Sequence, residues 1–225
     1  MVLTSSMLDL RTSLPRKPVA PTLRGERVTL RPLRLAADLG ALHARSNGSA
    51  ARLAGREIAA YDADALIWRY MFAGPFNTAA DLASFLQPQC DAADGTPLCV
   101  EFAGEPVGVY NIMANSPEHL RIELGSIWYS PLVQRTGCND EATLLIVEYL
   151  FSLGYRRIEW KCHSHNARSR AAALAMGFLF EGIFASHMIV KGANRDTAWY
   201  RLLDDEWPRV RAALTARVEA KHRSA

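Results

Sequence analysis

Between Leu98 and Leu153 the sequence changes its hydrophobic period once, and this change limits the possible folds more than any other feature. Residues 98–102, 107–113 and 120–129 are apolar runs rich in β-branched and aromatic side chains, with Gly104-Glu105 as a turn between the first two. They read as consecutive antiparallel strands. After Pro131 and Gly137 the apolar positions recur every three or four residues. Ala142, Leu145, Ile146, Tyr149, Leu150 and Leu153 then share one face of a helix over 140–153, which Gly154 closes as a C-cap. A strand meander that feeds an amphipathic helix predicts an α/β domain, its sheet flanked by helices.

Both flanks extend this pattern. Val28, Leu30 and Pro32 alternate with Arg27, Thr29 and Arg31, a half-buried strand that opens the domain near Gly25. Helices are expected over 38–45 and 63–71, and from an N-cap at Thr78, where Leu82, Phe85 and Leu86 keep helical spacing until Pro88 disrupts it. Downstream, a strand over 157–163 leads to a helix capped by Asn166 and running to Met176. A strand from Gly177-Phe178 towards Val190, another near 197–203 and a helix from about Glu206 complete the set.

The chain therefore divides into an N-terminal arm (1–24), a main domain (25–208) and a C-terminal basic helical tail (209–225). Pro15, Pro18 and Pro21 suggest that the arm is extended, serving to pack or to clasp a second copy. An organelle-targeting peptide is the alternative, although the prolines spoil the amphipathic helix it needs. Arg209, Arg211, Arg217, Lys221 and Arg223 make the tail a solvated helix or, alternatively, a partner-binding one.

Composition narrows the functional classes. With 26 Lys+Arg against 23 Asp+Glu, a net charge of +3 gives little basis for sequence-independent nucleic-acid binding. The stretch 144–150 is interrupted by Glu148 and is far shorter than the roughly 20 residues that span a bilayer, so no membrane segment is expected. Cys90, Cys99, Cys138 and Cys162 form no C-x-x-C pair, which suggests reduced thiols, a cytoplasmic location and no metal. His163 and His165 would share a strand face, but no third ligand lies nearby. A monomer and a homodimer are both compatible with the sequence.

Gln134-Arg135-Thr136-Gly137-Cys138-Asn139 joins a strand to a helix, an arrangement that presents backbone N–H groups to phosphate or simply forms a capped turn. Its neighbours favour phosphate. The turn resembles the Q/R-x-x-G-x-G/A signature of the GNAT superfamily of N-acetyltransferases. Asn166 and Ser169, then Met176-Gly177-Phe178 and Glu181-Gly182, are similar to the N-x-x-S … L-G-F-x-x-E-G pattern of its ribosomal-protein N-terminal acetyltransferase branch. Asp196, Tyr200, Leu203 and Glu206-Trp207 resemble the closing pattern of that branch, so the likeness covers about 25–208.

The resemblance implies a GNAT fold, with a mixed, mainly antiparallel central sheet whose two splayed strands form an acyl-CoA slot. It implies acetyl-CoA as co-substrate and transfer of its acetyl group, by direct attack, to the amine of a small molecule or a protein N-terminus. The backbone at Ile127, Trp128 and Tyr129 would face the pantetheine, and Gln134, Arg135, Thr136, Gly137, Cys138, Asn139 and Asp140 would surround the pyrophosphate. Asn166 would donate an amide to the pantetheine, serve as a plain N-cap, or do both. Ser169 would bring a hydroxyl near the thiol. Cys138 and Cys162 are expected to pack rather than react.

Three departures support a second reading, a catalytically silent acyl-CoA-binding or sensor protein. Asn139 replaces the second Gly/Ala, Asp140 brings a carboxylate to the phosphate turn, and Ala173 stands where many GNAT enzymes carry a thiolate-protonating Tyr. Arg135 could offset Asp140, which could itself be the N-cap. Trp68, Tyr70, Phe72 and Phe76 fall where the acceptor pocket is expected, or else form a buried helix face. Arg121 and Glu101 are further polar candidates on neighbouring strands. For the general base the choice is Glu123, eleven residues before Gln134, as in the histone-acetylating enzymes it resembles. A structural ion pair is its alternative role, and His187 is the runner-up base.

Overall fold

The apolar strands in the middle of the chain become the centre of an eight-stranded sheet in the computed structural model, which describes residues 3–223. The chain-order strands are β1 (Leu23–Arg24), β2 (Val28–Pro32), β3 (Ala51–Leu53), β4 (Arg56–Ile58), β5 (Thr96–Phe102) and β6 (Glu105–Ser116). After them come β7 (Arg121–Tyr129), β8 (Arg157–His163), β9 (Leu179–Val190) and β10 (Ala193–Leu203). The sheet order is β1-β2-β5-β6-β7-β8-β10-β9, while β3 and β4 form a separate hairpin. Within the large sheet only β7 and β8 pair in parallel, because a helix carries the chain back between them.

Helices α1 (Ser5–Ser13), α2 (Leu35–Ala44), α3 (Ala79–Asp91), α4 (Cys138–Ser152), α5 (Ala167–Ala175) and α6 (Trp207–Arg223) surround the sheet. Alternation along the strands separates two cores. Leu98, Val100, Tyr110, Ile122 and Leu124 pack with Ile146, Val147 and Leu150 of α4 and with Val210 and Leu214 of α6. The opposite face carries Val109 and Trp128, which pack with Leu42 of α2 and with Leu82 and Leu86 of α3. The sheet is therefore covered on both sides, as expected for an α/β domain.

Several expectations change. The arm is not wholly extended: Ser5–Ser13 is helical, with Thr4 as N-cap, because every proline of the arm lies beyond that segment. Its later part runs along the domain, where Asn115 Nδ2 donates to the Pro15 and Arg16 carbonyls and Thr96 Oγ1 donates to the Pro18 carbonyl. Helix α3 passes through Pro88 to Asp91, losing only the bond to the Ser84 carbonyl near its end. Over 63–71 only a π-turn forms, Asp64–Trp68. The basic tail is not a solvated helix, since Trp207, Val210, Leu214 and Val218 bury one face of α6. The β3–β4 hairpin had no clear signal in its short, mixed sequence.

Candidate active site

The slot begins where the parallel ladder ends. β7 and β8 pair from Arg121↔Arg157 to Leu124↔Trp160, yet both strands continue beyond those partners. Against β6, Val109 faces Trp128 and Asn111 faces Gly125, so β7 carries one extra residue in that interval. This bulge is accompanied by a left-handed Ser126 (φ 49°) and turns β7 away from β8. Backbone groups at Ile127–Tyr129 on β7 and at Lys161–His163 on β8 are left without each other as ladder partners. An extended ligand can pair with such edges.

Beyond β7 and the turn Pro131–Val133, Gly137 (φ 91°) caps α4 without a side chain. The first N–H groups of a helix have no carbonyl partner within it. Here Cys138 N is taken by Thr136 Oγ1 at 3.3 Å, and Arg135 stands exposed beside the turn. Asp140 is neither the N-cap nor directed at the expected phosphate position: its carboxylate accepts from Arg217 Nε of α6 at 3.0 Å. The sequence reading assigned that compensation to Arg135. Asn139 also turns inward, accepting from the Tyr129 hydroxyl at 2.9 Å and approaching Met176 Sδ. A helix start, an exposed arginine and splayed strand edges together fit coenzyme A.

Two side chains from opposite walls of the slot meet on one carbonyl. Gln134 Nε2, just beyond β7, and Arg168 NH1 of α5 both donate to the Leu66 oxygen, at 3.2 and 3.1 Å. Arg168 NH2 also donates to Ala65 O at 2.6 Å. The π-turn thus bridges the β7 wall and the α5 wall. Asn166 caps α5 by accepting from Ser169 N at 3.1 Å. Ser169 Oγ accepts from Trp160 Nε1 at 3.0 Å, so the hydroxyl is fixed beside β8. Ala173 is wholly buried in the main core.

Glu123 lies on the paired part of β7, immediately before the splay. It is 7% exposed, and its carboxylate meets Lys161 Nζ at 2.5 Å. Burial raises its pKa, opposed by Lys161 and Arg195 and reinforced by Glu159. Lys161 was missed in the sequence, although parallel partners share a face and Lys161 is two residues beyond Glu159, the partner of Glu123. Lys161 also lies 4.0 Å from the centroid of the Trp199 ring. Arg121 pairs with Glu159 rather than Glu123, and Glu101 belongs to the Arg31–Asp38 cluster away from the slot.

His187 does not join this group. It lies on β9, three strands from β7, a lateral distance of roughly 14 Å at ordinary strand spacing. Its Nδ1 is 3.0 Å from Thr197 Oγ1. Burial pushes the Cys138 and Cys162 thiols up, which keeps them protonated packing groups. His163 and His165 have ring centroids 5.2 Å apart, but the described residues include no cluster of three metal-ligating side chains.

The aromatic segment splits in two. Trp68 is fully buried against Trp128, Phe76 and Phe85, and its Nε1 donates to Ser46 O at 2.8 Å. Trp68 and Phe76 therefore support the second core rather than line the pocket. Tyr70 lines a cavity of about 140 Å³ with His163, Lys191 and Arg195. Phe72 lies beneath the Arg195 guanidinium at 4.6 Å.

Residues 27–179 match the acetyltransferase (GNAT) domain family. A GCN5-related N-acetyltransferase from Brucella melitensis is 36% identical, with TM-score 0.79 over 91% of this chain and 87% of its own. The chain belongs to the GNAT family. This acetyltransferase also shares its fold with two more distant proteins. One, from Salmonella typhimurium, modifies the N-terminal serine of ribosomal protein L7/L12 (17% identity, TM-score 0.65, coverage 80% and 96%). The other is a microcin C7 self-immunity acetyltransferase, solved with acetyl-CoA and AMP (19% identity, TM-score 0.65, coverage 80% and 93%). No curated protein matches the chain. GNAT acetyltransferases use acetyl-CoA, and this one is an acyl-CoA-dependent acetyltransferase.

Proposed function

We propose that this GNAT protein transfers the acetyl group of acetyl-CoA directly to an amine, either of a small molecule or of a protein N-terminus. The supporting observation is Glu123: a buried carboxylate with a raised pKa, on the strand that splays away from β8. Acetyl-CoA supplies an activated thioester. The protein's part is to hold the amine beside it and to accept the amine proton. Glu123 is the acceptor of that proton in this reading, with Lys161 holding its side chain in place. Ser169 is assigned to the thiol side, fixed there by the Trp160 indole. The exposed Arg135 and the start of α4 are assigned to the pyrophosphate.

The resemblance of Asn166, Ser169, Gly177-Phe178 and Glu181 to the ribosomal-protein branch supports a protein N-terminus as one acceptor class. In this protein, however, Glu181 pairs with Arg157 at 2.5 Å and Tyr200 receives Arg170 Nε at 3.0 Å, so both have fold-holding contacts. A silent acyl-CoA sensor is the second reading, favoured by the inward Asn139 and the Gln134–Leu66–Arg168 bridge. Purified protein with acetyl-CoA and a panel of amines distinguishes them: free-thiol release above the no-acceptor rate supports transfer. Tight CoA binding with no release for any acceptor supports the sensor.

A further inference from the structure

We infer that Arg195 is the anion-binding residue of the acceptor pocket and that the acceptor is a small amine whose skeleton also carries an oxyanion. This rests on the acetyl-transfer reading of the same site and narrows its substrate class. Arg195 is 6% exposed. Its Nε is buried without a hydrogen-bond partner, and among the described residues no carboxylate lies within ion-pair distance of its guanidinium. The neighbouring cations differ. Arg69 is paired with Asp64 at 3.0 Å, while Lys191 donates to the Trp68 carbonyl at 2.8 Å and lies 4.0 Å from Asp64. Glu123, the carboxylate that acts on Arg195 through space, is already engaged with Lys161.

A buried cation without a partner is costly, so a protein that keeps one has a reason to. The Phe72 ring, 4.6 Å from the Arg195 guanidinium carbon, offers it a cation–π contact but no hydrogen bond, and Nε stays unpaired. A guanidinium fork matches a carboxylate or phosphate in two-point contact. The cavity is lined by Arg69, Lys191 and Arg195 and by no carboxylate. Its volume of about 140 Å³ has room for an oxyanion and a short carbon stem. A polyamine or other purely cationic acceptor would leave Arg195 bare and meet repulsion. An oxyanion there can place the attached amine on the side facing Glu123.

The test uses the CoA-saturated protein and matched ligand pairs: L-serine against L-serinamide, L-methionine against L-methioninamide, and O-phosphoethanolamine against ethanolamine. Calorimetry should show at least one anionic member binding about tenfold tighter than its neutral counterpart, with the carboxylate and phosphate pairs revealing which oxyanion fits. Arg195→Gln should bring that ratio to about one while CoA affinity is retained. Arg195→Lys should recover part of it. If Arg195→Gln does not fold, the wild-type ratio and the lysine variant still decide. Equal or weaker binding of every anionic member, or a preference that survives in Arg195→Gln, overturns the inference. Anion-selective binding with no thiol release from any pair upholds the Arg195 anion site but overturns its reading as the acceptor pocket; release without anion preference upholds acetyl transfer and overturns the anion site.

Discussion

At Glu123 burial and charge act in opposite directions. Burial and Glu159 favour the protonated carboxyl, Lys161 and Arg195 favour the carboxylate, and burial prevails. In its proposed role as general base Glu123 must be ionised, so kcat/KM should fall as pH drops through its raised pKa. Glu123→Gln should lose about tenfold or more in kcat/KM, and should also lose this acid limb. Lys161→Met removes the nearest group that lowers the pKa, so its limb should move to higher pH. Wild-type rates in Glu123→Gln, or an unmoved limb in Lys161→Met, would leave proton loss to solvent as the mechanism. The place of Glu123 on β7 was legible because strand alternation is local, whereas its candidacy as base came from the family resemblance of its spacing to Gln134. Its ion pair depends on the β7–β8 register, and Arg195 approaches from β10, so neither could be read from one segment.

At the scale of elements, the contact between α4 and α6 changes the meaning of Asp140. A carboxylate in the first turn of a helix is unfavourable to a phosphate ligand, but Arg217 bonds it at 3.0 Å. Helix α6 also packs closely on the turn: a Cβ built at Gly137 would lie 2.8 Å from the side-chain Cβ of Lys221. Asp140→Thr should therefore change acetyl-CoA affinity little. Arg217→Ala, which strips the carboxylate of its partner, should weaken binding about twofold to fivefold, the usual scale of helix-end charge effects. In the double variant the loss should shrink, a coupling that calorimetry can measure. Additive effects would mean that Arg217 acts elsewhere. Sequence periodicity located most of the sheet and the helix after the glycine turn because burial acts on each element directly. It could not show that a helix some seventy residues later would return to that turn.

The whole molecule gives its two ends different weights. Helix α1 buries no residue completely; Leu10 covers Gly154, and Arg11 donates to the Glu118 carbonyl at 2.7 Å. Helix α6 inserts Trp207, Val210, Leu214 and Val218 into the fold, with the Trp207 indole bonded to Glu148 at 2.6 Å. At about 1.5–3 kcal/mol for each large apolar side chain, their burial is worth roughly 6–12 kcal/mol as an upper bound. A whole domain is stable by only about 5–15 kcal/mol. Ending the chain at Glu206 should therefore leave protein that lacks a cooperative thermal transition. Removing residues 1–13 keeps the Asn115 and Thr96 bonds to the arm, and should lower the melting temperature by only a few degrees. Circular-dichroism melts of the two truncations test this contrast directly. A cooperative transition near the wild-type midpoint in the chain ending at Glu206 would mean that the sheet and α4 hold the core without α6, and that the basic C-terminal segment is an appendage after all.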